Sequence, residues 1–230
     1  MSTGRKVAIF DVDGTIFRSS LLIELVEIMI EKGLFQESVR VDYERERLHW
    51  LERKGDYEAY IQAIIKVFVA NIKGVSYKEF DDACTEVIAR HKDKNYRFTR
   101  DLIKDLKKKG YYLLAISQSP KTILDKFCIP LGFDKVYGRI YETGPSDKLT
   151  GAVTDEHLIS NKANIVRRAV LKENLTLENS VGVGDTESDI PFLEMVAKPI
   201  CFNPNSMLWK QAKRSKWRVV VERKDVVYEI

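Results

Sequence analysis

Two carboxylates near the start of the chain are the residues best placed to do chemistry. Asp11 and Asp13 follow a short apolar segment, residues 6–10, whose β-prone side chains predict a strand buried on both faces of a parallel sheet. Ligands of open α/β sheets collect beyond the carboxyl ends of the strands. One aspartate of such a pair can attack or bind metal while the other transfers protons. Asp13-Gly14 is also an ordinary turn signal, so the pair alone does not decide between the two interpretations.

Four polar residues further along the chain fall where other elements of the fold are predicted to begin or end. Ser117 follows a second apolar strand, and Lys162 lies in the first turn of a helix. Asp185 and Asp189 follow a short strand at residues 180–183. Taken singly, the serine and the aspartates are ordinary turn or capping residues, and the lysine is an ordinary surface residue. Because parallel strands end at one edge of a sheet, their joint placement predicts one site.

The chemistry that suits this set is phosphoryl transfer, which needs positioning, neutralisation of charge on three oxygens and an in-line nucleophile. Asp11 can be the nucleophile and form an aspartyl-phosphate. Asp13 can protonate the leaving oxygen and later activate water. The Ser117 hydroxyl and the Gln118 backbone N–H can bind the phosphate, and Lys162 adds a compact positive charge. Asp11 and Asp13 are therefore the predicted catalytic residues, and the other three are the predicted phosphate-binding residues.

A magnesium ion fits the same site, because carboxylates supply the hard oxygen ligands that Mg²⁺ prefers. The predicted metal ligands are Asp11, Asp13 and Asp185. Asp189 is predicted to hold Lys162 or a metal-bound water from behind. The other supporting residues are Gly14, Thr15 and Gly184.

The helical pattern between the first two strands divides the chain. Residues 19–92 carry apolar residues at helical spacing throughout, and Ser76 with Glu79 forms a capping box that predicts a helix start. The α/β pattern resumes after residue 92. The sequence therefore predicts a core of residues 1–18 and 93–230 and an inserted all-helical unit of residues 19–92.

At this point the sequence resembles a known family. Its motifs are similar, in order, to the four signatures of the haloacid dehalogenase superfamily, and the helical insertion resembles the cap of the phosphoserine-phosphatase-like branch. The matching residues are Asp11-Val12-Asp13-Gly14-Thr15, Ser117 after an apolar strand, Lys162, and Gly184-Asp185-Thr186-Glu187-Ser188-Asp189.

The resemblance implies a fold and a function. The expected fold is an α/β Rossmann-like parallel sheet with helices on both faces and an inserted helical cap domain. The expected function is Mg²⁺-dependent hydrolysis of a small phosphorylated metabolite through an aspartyl-phosphate, since the phosphatases of this superfamily use the second aspartate as the acid and base. A phosphotransferase of the same fold, or a regulatory module that binds phosphate without turnover, is the alternative.

Two departures from the resemblance concern the substrate. Phosphoserine phosphatases typically have a glutamate in the loop after the first signature, where this chain has Arg18-Ser19-Ser20, and Gly-Gly after the serine, where it has Gln118-Ser119. Phosphoserine as the substrate therefore does not follow. The predicted candidates for binding an anionic part of the substrate are Arg18, Arg45, Arg47 and Arg53, although solvated surface arginines are the ordinary interpretation.

Composition limits the partners. The 230 residues carry 38 basic and 34 acidic side chains, and the resulting charge of +4 is too small to indicate nucleic-acid binding. The three widely spaced cysteines predict reduced thiols and a cytoplasmic protein. No apolar run approaches the ~20 residues that cross a bilayer, so no membrane partner is expected. The oligomeric state is left open.

Overall fold

The secondary structure alternates between strands and helices outside one helical region. The structure is a computed structural model that describes residues 4–154, 156–159 and 161–230, so residues 1–3, 155 and 160 of the predicted core lie outside it. The strands are β1 Arg5–Phe10, β2 Tyr112–Pro120, β3 Lys135–Thr143, β4 Leu149–Thr154, β5 Leu175–Gly184, β6 Lys198–Phe202, β7 Arg218–Arg223 and β8 Val226–Glu229. The helices are α1 Leu21–Glu31, α2 Val41–Leu51, α3 Tyr57–Asn71, α4 Tyr77–His91, α5 Arg97–Lys108, α6 Lys121–Leu131, α7 Glu156–Ile159, α8 Lys162–Lys172, α9 Ile190–Leu193 and α10 Ser206–Ser215.

The chain divides into two compact units. The first comprises the described residues of Met1–Ser19, Asp93–Arg139 and Asp155–Ile230. The second comprises Ser20–Lys92 and Ile140–Thr154. The predicted division assigned residues 140–154 to the core, whereas contacts within the structure group them with the helices of the second unit.

The first unit is built on a sheet whose strands lie in the order β3-β2-β1-β5-β6-β7-β8. All neighbours from β3 to β7 are parallel, and β8 pairs antiparallel with β7. Residues 7–10 of β1 are completely buried, because strands and helices cover them on every side. The predicted α/β class with helices on both faces is confirmed, and the sheet is mixed because its last strand returns through a tight turn.

Long-range capping positions the helix that precedes β2. Helix α5 has no side-chain cap from Tyr96, the residue before it. Instead the carboxylate of Glu222 on β7 accepts hydrogen bonds from the backbone N–H groups of Arg97 (3.1 Å) and Phe98 (2.8 Å). A tertiary contact therefore satisfies donors that a helix start leaves free.

The second unit packs helices α1 to α4 around buried aromatic side chains, which include Phe35, Phe68 and Phe80. Helix α4 begins at the predicted cap, where the Ser76 hydroxyl accepts from the Glu79 N–H at 3.3 Å. The sequence predicts an all-helical unit, whereas the structure also contains a β-hairpin in it. Residues 140–143 of β3 pair antiparallel with β4, and this hairpin bonds to the segment between α3 and α4.

The hairpin joins the helices through backbone hydrogen bonds that no local pattern reveals. The N–H of Gly74 donates to the carbonyl of Leu149, and the N–H of Leu149 donates to the carbonyl of Val75, both at 2.8 Å. The ring of Tyr141 packs against Phe68 at 5.3 Å. Across the described part of the chain, each helix is too short or too polar for a membrane crossing.

Candidate active site

The loop after β1 folds back tightly on itself. The Asp11 N–H donates to the carbonyl of Val183 on the neighbouring strand at 2.9 Å. The N–H groups of residues 15, 16 and 17 all donate to the carbonyl of Val12. Gly14 has φ +78°, and a Cβ there would lie 2.1 Å from Oδ2 of Asp185. Only glycine fits a backbone that is left-handed and pressed against a carboxylate.

A buried lysine lies between two carboxylates of this loop cluster. Lys162 Nζ lies 2.5 Å from Asp11 Oδ1 and 2.5 Å from Asp189 Oδ1. All three side chains are buried, with Lys162 3% exposed and Asp189 fully enclosed. The lysine occupies the first turn of α8, where the Asn161 side chain caps the helix by accepting from the Ala163 N–H. The predicted contact between Asp189 and Lys162 is present.

Asp189 also holds the loop that follows β5. Its Oδ2 accepts from the backbone N–H groups of Asp185 (2.9 Å) and Thr186 (3.2 Å). The backbone of Gly184 lies so close that a Cβ there would be 2.5 Å from Asp189 Oδ2. Thr15 donates its hydroxyl proton to Asp185 Oδ1 at 3.3 Å, which links this loop to the one after β1. The supporting residues predicted from sequence thus contact the carboxylates.

Burial and mutual repulsion disturb the charges of these groups. Burial raises the pKa of Asp11 to about 7; the charge of Lys162 opposes this rise, and those of Asp189 and Asp13 add to it. Burial, followed by the charges of Asp11 and Asp189, holds the pKa of Asp185 well above its ordinary value. Burial disfavours the charged form of Lys162, but the two carboxylates outweigh it and raise the pKa of the lysine. The cluster carries more negative charge than one lysine balances.

This donor set suits a hard divalent cation. Asp11, Asp185 and Asp189 each offer a carboxylate oxygen, and these oxygens lie within 4.8 Å of one another. Crowded carboxylates with raised pKa values gain most from a cation that shares their charge, and oxygen ligands favour Mg²⁺. The three carboxylates that lie together include Asp189, whereas the sequence predicts Asp13 as the third metal ligand. The Asp13 carboxylate accepts hydrogen bonds from serine hydroxyls.

Two serine hydroxyls hold the carboxylate of Asp13. Ser117 Oγ donates to Asp13 Oδ2 at 2.7 Å, and Ser119 Oγ donates to the same oxygen at 2.8 Å. Ser119 also donates its backbone N–H to Ser117 Oγ at 2.9 Å. The side chain of Gln118 points to Arg139, whose guanidinium donates to its Oε1 at 2.8 Å. Sequence reasoning missed Ser119, although alternation along a strand places residues 117 and 119 on one face.

Each of the four predicted substrate arginines contacts another side chain. Arg18 is exposed in the first unit and stacks its guanidinium over the ring of Tyr96 at 5.7 Å. In the second unit the pairs are Arg45 with Glu46, Arg47 with Glu44, and Arg53 over the ring of Trp50. The two arginines that pair with glutamates are already neutralised.

A family model for haloacid dehalogenase-like hydrolases matches residues 8–194, a span that contains Asp11, Asp13, Ser117, Lys162, Asp185 and Asp189. The chain belongs to the haloacid dehalogenase-like hydrolase family. The predicted family membership is confirmed.

Relatives of this haloacid dehalogenase-like hydrolase extend over nearly the whole chain. It is 24% identical over 221 residues to a histidinol-phosphatase of Neisseria meningitidis serogroup C, covering 94% of this chain and 98% of that protein. It is 24% identical over 229 residues to a phosphoserine phosphatase of Methanocaldococcus jannaschii, covering 98% and 96%. A structure described as a phospho-aspartyl intermediate analogue of phosphoserine phosphatase superposes with TM-score 0.63 at 23% identity, covering 97% and 96%. The predicted phosphoserine-phosphatase-like branch is confirmed at the level of the fold.

Proposed function

We propose that this chain is a Mg²⁺-dependent phosphatase that hydrolyses a small phosphorylated metabolite through an aspartyl-phosphate on Asp11. The observation that carries the proposal is the different surroundings of two aspartates only two residues apart. Asp11 is buried and paired with Lys162, whereas Asp13 is half-buried and held by two serine hydroxyls. Such a pair suits one nucleophile and one acid–base group.

The proposed reaction has two steps. The Asp11 carboxylate attacks phosphorus, the bond to the leaving oxygen breaks with its electron pair on that oxygen, and Asp13 supplies the proton. Water then gives a proton to Asp13 and attacks the aspartyl-phosphate, which releases inorganic phosphate and restores the Asp11 carboxylate. The charge of Lys162 lowers the pKa of Asp11 and so favours the carboxylate form that attacks, and it adds positive charge where phosphate oxygens carry negative charge.

Asp11 and Asp185 would hold the cation, with Asp189 beside them. Both oxygens of Asp189 already accept hydrogen bonds, from Lys162 and from two backbone N–H groups, which suits a supporting role. When bound, Mg²⁺ supplies positive charge that neutralises the phosphate and the crowded carboxylates. This assignment includes two of the three ligands predicted from sequence, Asp11 and Asp185. It does not place the cation on Asp13, where the positive charge of the cation would disfavour protonation of the carboxylate.

The substrate is proposed as a class only. Relatives of similar identity carry the names histidinol-phosphatase and phosphoserine phosphatase, which supports a shared phosphatase reaction with differing organic groups. Within the predicted arginine set, Arg18 and Arg53 are the better candidates for an anionic substrate group, because Arg45 and Arg47 are paired with glutamates.

The test is phosphate release from a panel of phosphorylated amino acids, sugars, alcohols and nucleotides, with Mg²⁺ or with EDTA. We expect Mg²⁺-dependent release that Asp11→Asn abolishes and that a matched control, Asp225→Asn at an exposed position, leaves intact. A new phosphate ester as the dominant product in the presence of alcohols would instead identify a phosphotransferase. Phosphate binding without hydrolysis of any compound would overturn the proposal in favour of a regulatory module.

A further inference from the structure

Ser119 donates to the Asp13 carboxylate as Ser117 does, but it has no part in the proposed phosphate site. Its side chain is 4% exposed, and its hydroxyl lies 2.8 Å from Asp13 Oδ2. Its backbone N–H donates to Ser117 Oγ at 2.9 Å, so the two serines and the aspartate form a closed set of hydrogen bonds. A buried hydroxyl with this geometry fixes the carboxylate that it contacts.

The two hydroxyls cannot serve the same purpose during the reaction. A serine hydroxyl carries one proton and therefore donates one hydrogen bond at a time. In this structure Ser117 donates its proton to Asp13. When Ser117 turns that proton toward a phosphate oxygen, as the proposed function requires, Ser119 is the serine that still donates to Asp13.

We propose that Ser119 is the positioning residue for Asp13, and that it holds the Asp13 carboxyl group in place while Ser117 binds phosphate. This inference rests on the proposed function, in which Asp13 is the acid and base. Oδ2 accepts from both serine hydroxyls, so the Ser119 hydrogen bond to this oxygen remains when the Ser117 proton turns to phosphate.

The proton transfer that follows is balanced. As the bond between phosphorus and the leaving oxygen breaks, its electron pair stays on that oxygen, which takes the proton from Asp13. Asp13 becomes a carboxylate, and the Ser119 hydroxyl continues to donate to Oδ2. In the second step water returns a proton to Asp13. Without Ser119, Oδ2 of the carboxyl group loses both serine hydroxyl donors whenever Ser117 binds phosphate.

The test uses the dependence of rate on the leaving group. An alkoxide leaves only with a proton, whereas para-nitrophenolate leaves without one. The quantity to measure is kcat/KM, which covers the steps up to release of the alcohol, for an alkyl phosphate from the panel and for para-nitrophenyl phosphate. Because general acids contribute about 10²–10⁴-fold, we expect Ser119→Ala to lower kcat/KM for the alkyl ester about 10-fold more than for the nitrophenyl ester.

A matched control separates positioning from structural damage. Ser180 is also a buried strand serine, and its hydroxyl donates to the Leu177 carbonyl and accepts from the Ala197 N–H. Ser180→Ala should lower stability while leaving the ratio of the two kcat/KM values unchanged. If Ser119→Ala also leaves that ratio unchanged, it acts only on stability and the inference is wrong.

The Asp13→Asn variant distinguishes this failure from failure of the proposed function. A shifted ratio in Asp13→Asn with an unshifted ratio in Ser119→Ala would overturn the Ser119 role alone. An unshifted ratio in Asp13→Asn would overturn the acid–base assignment itself, and absence of hydrolysis would overturn both. Because Ser119 acts through Asp13, adding Ser119→Ala to Asp13→Asn should change kcat/KM by less than about twofold, as expected for coupled residues.

Discussion

Replacing Asp189 by asparagine should destabilise the fold far more than the loss of one charge on a surface would. The carboxylate accepts from Lys162 Nζ on one oxygen and from two backbone N–H groups on the other. An amide of the same shape has only one acceptor oxygen. Its NH₂ group must face either the lysine ammonium or the two N–H donors, and both arrangements place donor against donor.

The size of this loss follows from the contacts. Removing one partner of a buried ion pair costs about 3–5 kcal/mol, and a hydrogen bond to a charged group contributes about 1.5–3 kcal/mol. Lys162 keeps its contact with Asp11, which limits the loss. We therefore expect Asp189→Asn to lower the free energy of unfolding by about 3 kcal/mol.

The same substitution four residues earlier should act in the opposite direction. Asp185 is half-buried, and its carboxylate lies within 4.8 Å of those of Asp11 and Asp189. Two unit charges at that distance repel by about 3.5 kcal/mol at an effective dielectric constant of about 20. Asparagine keeps an oxygen that can accept from Thr15. With Lys162 nearby and partial solvent screening, we expect Asp185→Asn to stabilise the metal-free protein by about 1 kcal/mol.

Urea unfolding followed by far-ultraviolet circular dichroism, in EDTA at about pH 8, measures both changes; at that pH most unpaired carboxylates are charged. The exposed control Asp225→Asn should shift the free energy of unfolding by no more than about 0.5 kcal/mol. The reasoning is refuted if Asp189→Asn costs no more than this control, or if Asp185→Asn is as harmful as Asp189→Asn. Added Mg²⁺ should stabilise the unmodified protein and should stabilise Asp185→Asn less.

Three further outcomes are expected. Burial raises the pKa of Asp11 from 3.8 to about 7, so the folded protein retains a proton that the unfolded chain releases, and stability without metal is lost as pH rises through that range. In EDTA, the melting temperature of Asp11→Asn minus that of the unmodified protein should therefore be larger at about pH 8 than at about pH 5. Gly14→Ala places a Cβ 2.1 Å from a carboxylate oxygen, and in urea it should cost about 2 kcal/mol more than Gly33→Ala, where φ is also positive but nothing lies within 4 Å. Glu222→Ala removes the cap of α5 and should lower stability by about 1 kcal/mol, similar to Ser76→Ala at the local cap of α4; an unchanged melting temperature would contradict the capping role.

The elements that sequence predicts well are those whose signals are local. Residues 7–10 of β1 form an unbroken apolar segment, and α4 follows the N-cap Ser76 because a capping residue satisfies its own helix. The end of β2 was harder to place. The sequence places Ser117 after the strand, but the strand continues through Pro120, with a register shift against β3 between Ile116 and Pro120.

The hairpin of residues 140–154 shows why unit boundaries need the tertiary structure. Its turn residues predict a hairpin or loop excursion, but nothing in that segment indicates which unit it joins. Its partners, Gly74 and Val75, lie some way back along the chain and bond to it through backbone groups, which every residue type carries. Because backbone pairing does not depend on residue type, the residues of the hairpin do not indicate which unit it joins.

The identity and order of the charged groups belong to the sequence itself. Carboxylates after β1 and β5 and a serine on β2 must approach one edge, because the strands are parallel and their carboxyl ends share it. What only the tertiary structure decided is which group contacts which. Lys162 reaches Asp11 across 151 residues, Ser119 reaches Asp13 across 106, and Glu222 caps a helix 124 residues before it. The distance between donor and acceptor in a hydrogen bond can vary by only a few tenths of an ångström. Only the packing of the strands and helices positions distant side chains that closely.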